Sequence, residues 1–394
     1  MKIVEVSPLV VGTSWRELTF VELVTDTGLR GVGEVRMVNK TDTLLACIGE
    51  LGARYVLGSD PFDTERLAHN IQWVEYGRAG EVAQSALSAF DVACWDLVGQ
   101  ALGVPLWRLF GGRFRDRVPA YANGWYQAER DPAVIAGLAQ KVVARGYRAM
   151  KLDPFGAAFA ELSSAELRRA IDIVVAVRGA VGDDVQLMIE MHGRFTPSVA
   201  VRVSKALEPL QPEWIEEPVP PHNVASLRQV RAGTTLPIAT GERVHTLAEM
   251  RDLLEEGLVD VVQCDLTHFG GFTGMRKLAG WAAAYDRLLA PHNVCGPVGT
   301  AAAVHLAVAT PNFKILEHFN DFADVGVMGL VDHAPQVERD GCFSLSERPG
   351  LGVRLDREAC DRMPRSRAFF DLFTAGWERR DGSHPNEIKE LPCD

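Results

Sequence analysis

Eight short apolar segments that alternate with helical segments, from about Val118 onward, most constrain how this chain can fold. The segments are VPAYA, YRAMKLD, DVQLMIE, EWIEE, LPIATGE, VDVVQCD, RLLAPH and FKILE. Each can form a buried strand, and no hairpin turn joins any neighbouring pair. Strands that alternate with crossover helices form parallel sheets, and eight of them close into a barrel. The pattern predicts a (β/α)8 TIM barrel, or a modified form of it, over residues 118–340.

Helix start signals support this alternation. Asp131–Pro132 and Thr196–Pro197 each combine a capping residue with a proline in the first turn. Ser163 and Glu166 have the spacing of a capping box. We therefore expect helices to begin at these places, between predicted strands.

The first part of the chain follows a different pattern. Strand-like runs in MKIVEVSPLVV, ELTFVELVT and LRGVGEVRM precede three stretches with helical periodicity. Strands followed by helices, with little alternation, are typical of an α+β domain, which we predict over residues 1–117. We expect residues 341–394 to leave the barrel and to pack back against this first domain.

Composition and charge argue against several classes of partner. The formal net charge of -11 over 394 residues disfavours binding to nucleic acid or to an anionic membrane surface. No apolar run approaches the length of a membrane span, and MKIVEVSPLVVG lacks the features of a signal peptide. The seven cysteines form no CxxC pair, which suits reduced thiols. We expect a cytoplasmic protein that acts on a small molecule.

Ionisable residues stand at the ends of successive predicted strands. From Glu190 onward they recur after 26, 26, 23, 27 and 25 residues, which is about one strand, one helix and two loops. The residues are Lys151, Asp153, Glu190, His192, Glu216, Glu242, Asp265, His292 and Glu317. Any one of them alone is more simply explained as a helix cap or a structural histidine. Because the carboxyl ends of barrel strands meet on one face, the whole series predicts a single active site.

Three carboxylates fall on three consecutive strands, at Glu190, Glu216 and Glu242. Side by side they would repel strongly unless a cation lay between them. Oxygen-only ligation favours Mg²⁺ over zinc, and the chain has no HxH or HExxH pattern. The sequence therefore predicts a magnesium site formed by these three residues.

An acid–base pair is expected opposite this site. Asp265 and His292 end adjacent strands, and an aspartate that accepts a hydrogen bond from one ring nitrogen raises the basicity of the other. Lys151 and His192 could also move protons, and Glu317 could donate a hydrogen bond if protonated or set the local field. A metal that faces an acid–base pair suits proton abstraction beside a carboxylate, because the metal stabilises the enediolate.

The chain resembles the enolase superfamily, in its mandelate racemase/muconate lactonizing enzyme subgroup. The motifs that carry the resemblance cover nearly the whole chain: SAFDVACWDLVGQALGVPLWRLFGG, IEMHGRF, WIEEPV, ATGERVHT, QCDLTHFGGFTG, APHNVCGPVG and ILEHF. The resemblance implies an α+β capping domain over a modified barrel and Mg²⁺ held by Glu190, Glu216 and Glu242. It also implies a His292–Asp265 dyad and a hydrogen bond from Glu317 to the substrate carboxylate.

Two motifs narrow the expected reaction. Racemases and lactonising enzymes of this family usually carry Lys-x-Lys after the second barrel strand, whereas this chain has Lys151 and Asp153. His192 stands in an acid-x-His-Gly-Arg pattern similar to that of galactonate and gluconate dehydratases. The resemblance implies that His292 removes the proton beside the carboxylate and that His192 protonates the departing hydroxyl.

We therefore expect a hydro-lyase that converts an aldonate or aldarate into a 2-keto-3-deoxy sugar acid. The alternative within enzymes is a cycloisomerase, racemase or epimerase that uses the same enediolate, with Lys151 as the second base. An inactive barrel is disfavoured by the complete set of acids, and a nicotinamide oxidoreductase by the absence of a phosphate-binding glycine motif after an early strand.

Further residues are candidate substrate contacts: Trp15 in an early loop, Tyr76 and Arg78 in YGRAG, Asn123, Asp153 and Arg194 near strand ends, and His245 after Glu242. His268 and His318 are expected to be structural. Relatives of this type often form even-numbered assemblies, so we also expect a homo-oligomer.

Overall fold

A computed structural model describes residues 1–77 and 79–382. The chain begins with a three-stranded antiparallel sheet, followed by four helices. The strands are β1 (Ile3–Gly12), β2 (Glu17–Thr25) and β3 (Arg30–Val35), and the helices are α1 (Thr41–Leu51), α2 (Thr64–His69), α3 (Glu81–Leu102) and α4 (Leu106–Leu109). One π-helical turn extends each of α1 and α2, at Gly52–Val56 and Asn70–Val74.

Helix α3 packs directly on the backbone of β3. A Cβ atom at Gly33 would lie 2.0 Å from the carbonyl oxygen of Ala89, so only glycine allows this close approach. The apolar faces of the sheet and helices enclose a core that includes Leu23, Leu44 and Phe90, all fully buried. This compact α+β arrangement agrees with the pattern expected for the first part of the chain.

A closed parallel barrel follows, and it confirms the predicted fold class. Its eight strands fall within the eight predicted segments, except that the last strand ends one residue later, at His318: β4 (Val118–Ala122), β5 (Ala149–Leu152), β6 (Gln186–Glu190), β7 (Trp214–Glu216), β8 (Ile238–Thr240), β9 (Val261–Val262), β10 (Leu288–Leu289) and β11 (Leu316–His318). Their order in the sheet is β10-β9-β8-β7-β6-β5-β4-β11. A parallel bridge between Leu289 and Phe313, just before β11, closes the barrel.

Seven helices connect these strands: α5 (Pro132–Arg145), α6 (Ser164–Val181), α7 (Pro197–Leu207), α8 (Val224–Gly233), α9 (Leu247–Glu255), α10 (Gly271–Ala284) and α11 (Pro297–Ala309). The start signals in the sequence are confirmed. The Asp131 side chain accepts hydrogen bonds from the first turn of α5, and Ser163 forms a complete capping box with Glu166. None of the helices in the described part of the chain has the length and apolar character needed to cross a membrane.

Two barrel helices are capped from the first domain. Helices α10 and α11 follow glycines and have no capping side chain of their own. The Glu34 carboxylate accepts hydrogen bonds from the backbone of Gly296, from Val298 N at 3.0 Å and from Gly299 N at 2.8 Å. Asp91 accepts one from Thr273 N at 3.1 Å. Because an acidic group satisfies free N–H groups at a helix start, these contacts fix the first domain on the barrel.

The last part of the chain returns to the first domain. It contains β12 (Val331–Asp332), β13 (Cys342–Phe343), β14 (Arg354–Leu355), α12 (Arg357–Asp361) and two 3-10 turns, Val325–Leu330 and Trp377–Arg379. Gly12 N donates to the Met363 carbonyl at 3.1 Å, and Arg365 pairs with Glu17 at 2.9 Å. The chain then runs on to the barrel mouth, where Trp377 Nε1 donates to the Gly156 carbonyl at 3.1 Å. The boundaries at residues 117 and 340 stay predictions.

Candidate active site

The polar site lies directly above an apolar layer that fills the barrel. Each of the eight strand segments contributes one buried side chain to that layer: Tyr121, Ala149, Met188, Trp214, Ala239, Val261, Ala290 and Ile315. Side chains two residues apart on a strand face the same side, so the next inward position is two residues further along. Seven of those eight positions are polar: Asn123, Lys151, Glu190, Glu216, Gln263, His292 and Glu317. The eighth is Gly241, and Glu242 follows it.

Three carboxylates converge at this level. One oxygen from each of Glu190, Glu216 and Glu242 lies within 4.8 Å of the others. Glu190 Oε2 is buried and has no hydrogen-bond partner among the described residues. Burial raises the pKa of Glu190, and burial together with the Glu190 charge raises that of Glu216 well above its usual range. A buried carboxylate oxygen that accepts no hydrogen bond, within a set of oxygen donors, fits a hard divalent cation.

Lys151 is enclosed by these acids. Its Nζ pairs with Glu216 and lies 3.3 Å from Glu190 Oε2 and 3.0 Å from Glu317 Oε1. Burial alone would lower the pKa of Lys151, but the surrounding carboxylates outweigh it and raise the pKa well above its usual value. Lys151 therefore acts as a fixed positive charge at the floor of the site.

His292 and Asp265 form the expected pair. His292 Nδ1 lies 2.7 Å from Asp265 Oδ2, while Asp265 Oδ1 accepts hydrogen bonds from Thr267 N and Oγ1, each at 2.7 Å. His292 Nε2 faces the carboxylates, 3.5 Å from Glu242 and 3.9 Å from Glu317. Burial lowers the pKa of His292, but Glu242 and Glu317 outweigh it and raise the pKa to about 9. Nε2 is thus the nitrogen that can exchange a proton with a ligand.

A second histidine–aspartate pair lies across the barrel. His192 Nδ1 is 2.5 Å from Asp153 Oδ2. His192 follows β6 and His292 follows β10, and these strands are four places apart in the eight-stranded barrel, so the two rings approach from opposite sides. His192 has a left-handed φ of 48°, and its backbone N–H donates to Glu190 Oε1 at 2.6 Å. Burial lowers the pKa of His192, and Asp153 partly offsets this.

Two expected substrate contacts, Asp153 and Arg194, face each other in this structure, and their role as contacts stays a prediction. Asp153 and Arg194 form an ion pair in which both side chains are fully buried behind His192, and neither lies on the cavity wall. Arg194 also donates to the carbonyl oxygens of Gly156 and Met191. Arg194 therefore holds Asp153, and Asp153 holds His192. The spacing placed these residues beside the site but did not indicate that their polar groups point at one another.

Other candidates are divided between the cavity and the surface. A cavity of about 630 Å³ lies above the carboxylates, and Trp15, Asn123 and His245 line it. Asn123 Nδ2 donates to Glu317 Oε1 at 2.7 Å, which fixes that carboxylate. Tyr76 is fully exposed and does not line the cavity. Arg78 lies outside the described residues.

Sequence reasoning missed part of the cavity wall. Those residues come from the end of β3 and from the segment that returns to the barrel mouth: Arg36, Met37, Val38, Asn39, Phe369, Phe370, Asp371, Leu372, Phe373, Trp377 and Arg380. The Trp377 ring meets the His192 ring edge to face at 5.5 Å. The only signal in the sequence was the density of aromatic residues after the barrel.

His268, which was expected to be structural, also lines the cavity. Ser85 Oγ donates to the Glu81 carbonyl at 2.7 Å, so it can only accept from His268 Nδ1, also at 2.7 Å. This network assigns the proton of the neutral ring to Nδ1 and leaves Nε2 as an acceptor. Burial lowers the pKa of His268 to about 4, which keeps the ring neutral.

Comparisons with known proteins agree with this architecture. The family model described as mandelate racemase/muconate lactonizing enzyme, N-terminal domain, matches residues 5–111, and the one described as enolase C-terminal domain-like matches residues 134–359. The D-gluconate dehydratase of Thermoproteus tenax is 39% identical over 344 residues, covering 87% of this chain and 69% of that protein. The D-galactonate dehydratase of Ralstonia nicotianae is 35% identical over 374 residues, covering 92% and 95%.

A solved structure shows the same fold. The crystal structure of a mandelate racemase/muconate lactonizing enzyme from Jannaschia sp. CCS1 has a TM-score of 0.87 and 32% identity, and the match covers 93% of this chain and 98% of that one. The similarity therefore extends over both domains.

Proposed function

Because this chain belongs to the mandelate racemase/muconate lactonizing enzyme family of the enolase superfamily, we propose that it is a Mg²⁺-dependent sugar acid dehydratase. It removes water from an aldonate or aldarate and produces a 2-keto-3-deoxy acid. The observation that carries the proposal is the pair of histidine–aspartate couples, His292–Asp265 and His192–Asp153, on opposite sides of three clustered carboxylates. The relatives named as gluconate and galactonate dehydratases support it.

Glu190, Glu216 and Glu242 would hold the metal, since their oxygens lie together and one of them, Glu190 Oε2, is buried and accepts no hydrogen bond from the described residues. Mg²⁺ bound there would neutralise these carboxylates, bring the pKa of His292 towards the range of a general base and stabilise negative charge on the substrate carboxylate. Lys151 adds a second positive charge at the same place, and Glu317 is held by Asn123 and by Asn293 N at 2.9 Å.

His292 begins the reaction as the base. Its Nδ1–H donates to Asp265, so the Nε2 lone pair faces the cavity and removes the proton on the carbon beside the carboxylate. The Asp265 carboxylate stabilises the imidazolium that forms, because it lies 2.7 Å from Nδ1.

His192 completes the reaction as the acid. It delivers one proton to the hydroxyl on the next carbon, which leaves as water while the electron pair of the enediolate forms the new double bond. The enol product then becomes the 2-keto acid. His292 gains one proton and His192 loses one, so exchange of both with solvent returns the enzyme to its starting state. Since the two histidines lie on opposite sides, the proton and the hydroxyl leave from opposite faces.

The environment of Lys151 argues against the epimerase alternative. A second base must be able to lose its proton, whereas Lys151 contacts three carboxylates and is 2% exposed. His192 has the free ring nitrogen on the required side, and a histidine near neutral pH suits a leaving hydroxyl. The second position of the usual lysine pair is Asp153, which faces His192.

A direct test uses the purified protein with Mg²⁺ and a panel of aldonates and aldarates. We expect a 2-keto-3-deoxy acid from at least one of them, measured by a colorimetric assay for keto acids and by NMR in D₂O. Isotope exchange or epimer formation without any keto acid would support the alternative instead. His292→Asn, measured in parallel, should abolish both exchange and dehydration.

We further propose that the protein acts in the cytoplasm on a small-molecule substrate, as a homo-oligomer and without a nucleic-acid or membrane partner. The cysteines in the described ranges, Cys47 among them, are all unpaired, as suits a reducing compartment. Sedimentation of the purified protein would measure the oligomeric state.

A further inference from the structure

Arg380 is a buried cation on the cavity wall that forms no ion pair with a carboxylate of the described residues. Its side chain belongs to the segment that covers the barrel mouth, and the residue is 7% exposed. Within residues 1–77 and 79–382 no carboxylate pairs with it, and its Nε has no hydrogen-bond partner. Glu378, two residues earlier, approaches Arg130 instead, at 3.8 Å. A charge removed from water without a partner is costly, so such an arrangement calls for a ligand that completes it.

Four aromatic rings hold the guanidinium in place. Its Cζ lies 5.3 Å from the ring centre of Trp15, 5.6 Å from Tyr126, 5.1 Å from Phe319 and 5.1 Å from Trp377. Rings at these distances attract the cation. Nη1 donates to the Glu378 carbonyl at 3.4 Å, whereas the Nε N–H has no hydrogen-bond partner in the described part of the chain. Ser14 Oγ, in the loop after β1, also donates to the Arg380 carbonyl at 2.8 Å, so the first domain helps to fix the position of Arg380.

The other cations of the cavity differ from Arg380. Lys151 is surrounded by carboxylates, and Arg243 lies 3.3 Å from Glu217 and 3.5 Å from Glu242. Arg36 makes no ion pair within the described chain but is only half-buried, so water can solvate its charge. Arg380 alone, among the cavity cations described here, combines burial with the lack of an ion pair. Burial raises the pKa of the nearby Glu378, and the charge of Arg380 helps to lower it.

The two sets of positive or metal-binding groups lie in different parts of the cavity, so they would contact different parts of a bound substrate. The proposed metal ligands and Lys151 lie at the floor, on the strand ends, and take the carboxylate beside the reacting carbon. Arg380 lies on the segment that closes the mouth, and three of its four aromatic neighbours, Trp15, Phe319 and Trp377, line the same cavity. It is therefore placed to meet a part of the substrate other than the carboxylate at the floor.

We propose that Arg380 binds a second carboxylate at the far end of the substrate, and that the preferred substrates are aldarates rather than aldonates. This inference rests on the proposed dehydratase function. A carboxylate matches the fork of a guanidinium with two parallel hydrogen bonds and supplies the missing charge. The terminal hydroxymethyl group of an aldonate would leave the buried cation without an ion-pair partner.

The test compares kcat/KM for aldarate and aldonate pairs of the same configuration, such as glucarate with gluconate and galactarate with galactonate. We expect the unmodified enzyme to favour the aldarate of its preferred pair at least tenfold. Arg380→Met, which keeps most of the packing volume, should reduce kcat/KM for the aldarate about 30-fold or more, as for a truncated buried charge pair, and change the aldonate value little. Arg379→Met is the matched control, since Arg379 is half exposed and pairs with Asp381.

A preference for aldonates, or an equal loss for both substrates in Arg380→Met, would overturn the inference while leaving the dehydratase proposal intact. If Arg380→Met does not fold, Arg380→Lys takes its place. Lysine keeps the positive charge but cannot form two parallel hydrogen bonds, so this variant should lose the preference for aldarates while its melting temperature stays unchanged. If no sugar acid is converted, the dehydratase proposal fails by itself. Calorimetric binding of glucarate and gluconate to the Mg²⁺-loaded protein then decides, and weaker or equal glucarate binding rejects the role of Arg380.

Discussion

Ser85 and His268 belong to different domains, and the Ser85 hydroxyl determines which ring nitrogen of His268 carries the proton. The 2.7 Å contact joins helix α3 of the first domain to the loop after β9. Because His268 lines the cavity, the first domain sets a hydrogen-bonding property of the site itself. With Nε2 as an acceptor, His268 can receive a hydrogen bond from a substrate hydroxyl.

Ser85→Ala should remove the hydrogen bond that fixes the tautomer of His268. We expect the ¹⁵N chemical shifts of the His268 ring to move towards a mixture of tautomers, and KM to rise about 2- to 10-fold, the worth of one hydrogen bond. Ser88→Ala is the control, because Ser88 Oγ accepts a hydrogen bond from Gly270 N across the same domain boundary and makes no hydrogen bond to a histidine within the described residues. Unchanged ring shifts in Ser85→Ala would contradict the assigned tautomer.

His192→Asn should separate the two halves of the reaction. With the acid removed, formation of keto acid should fall by about 10²- to 10⁴-fold, the usual contribution of a positioned acid or base. His292 remains, so exchange of the substrate α-proton in D₂O should persist in the NMR spectrum. Loss of exchange as well as dehydration would show that His192 does not act only on the leaving group.

Arg194→Met should destabilise the protein strongly. It leaves the buried Asp153 carboxylate without its cation, and breaking a buried ion pair in this way costs about 3–5 kcal/mol of unfolding free energy. Denaturant titration measures the change. Arg117→Met breaks an ion pair with Glu338 and Asp340 at the surface and should cost about 1 kcal/mol or less. Similar losses in both variants would contradict the structural role of Arg194.

Mg²⁺ should raise the melting temperature of the unmodified protein. A cation that binds only the folded state at 100 times its Kd adds about 2.7 kcal/mol to the unfolding free energy. Glu216→Gln should abolish most of this shift, because it removes one of the three clustered carboxylates. Glu213→Gln, which affects a neighbouring acid paired with Lys314 at 2.6 Å, should keep the full shift. A shift that survives in Glu216→Gln would place the metal elsewhere.

Asp91 should make stability depend on pH. Burial raises its pKa to about 7 in the folded state, above the value of about 3.9 expected in the unfolded chain. Between these values the folded state binds more protons, so its stability decreases as pH rises, by about 4 kcal/mol at most. Asp91→Asn keeps the Oδ1 acceptor for Thr273 N and should flatten the decline between pH 4 and pH 7 in urea titrations. An unchanged slope would contradict the raised pKa.

The eight strands could be predicted because their pattern is local. Each segment places an apolar residue and, two positions later, a polar one on the inner face, as Met188 with Glu190 and Trp214 with Glu216 illustrate. That period of two is a property of the strand itself and can be read without knowledge of the rest of the fold. The family resemblance then indicated a role for each polar position.

Contacts between distant segments could not be predicted in this way. The sequence indicates neither that Arg194 turns inward to Asp153 nor that Ser85 faces His268, since both depend on how packed elements are oriented. The segment that carries Trp377 and Arg380 has no strand or helix periodicity that would place it at the barrel mouth. Its position follows only from tertiary contacts, such as those with Gly156 and Ser14.

The hydrogen bond between Ser14 and Arg380 joins residues 366 positions apart in the sequence. The contact links the loop after β1 to the segment at the barrel mouth, so the first domain also holds this part of the cavity wall. A protease that cut the chain between residues 361 and 369 would leave the barrel intact but would sever its covalent link to the segment that completes the cavity wall, and we expect the enzyme to lose activity.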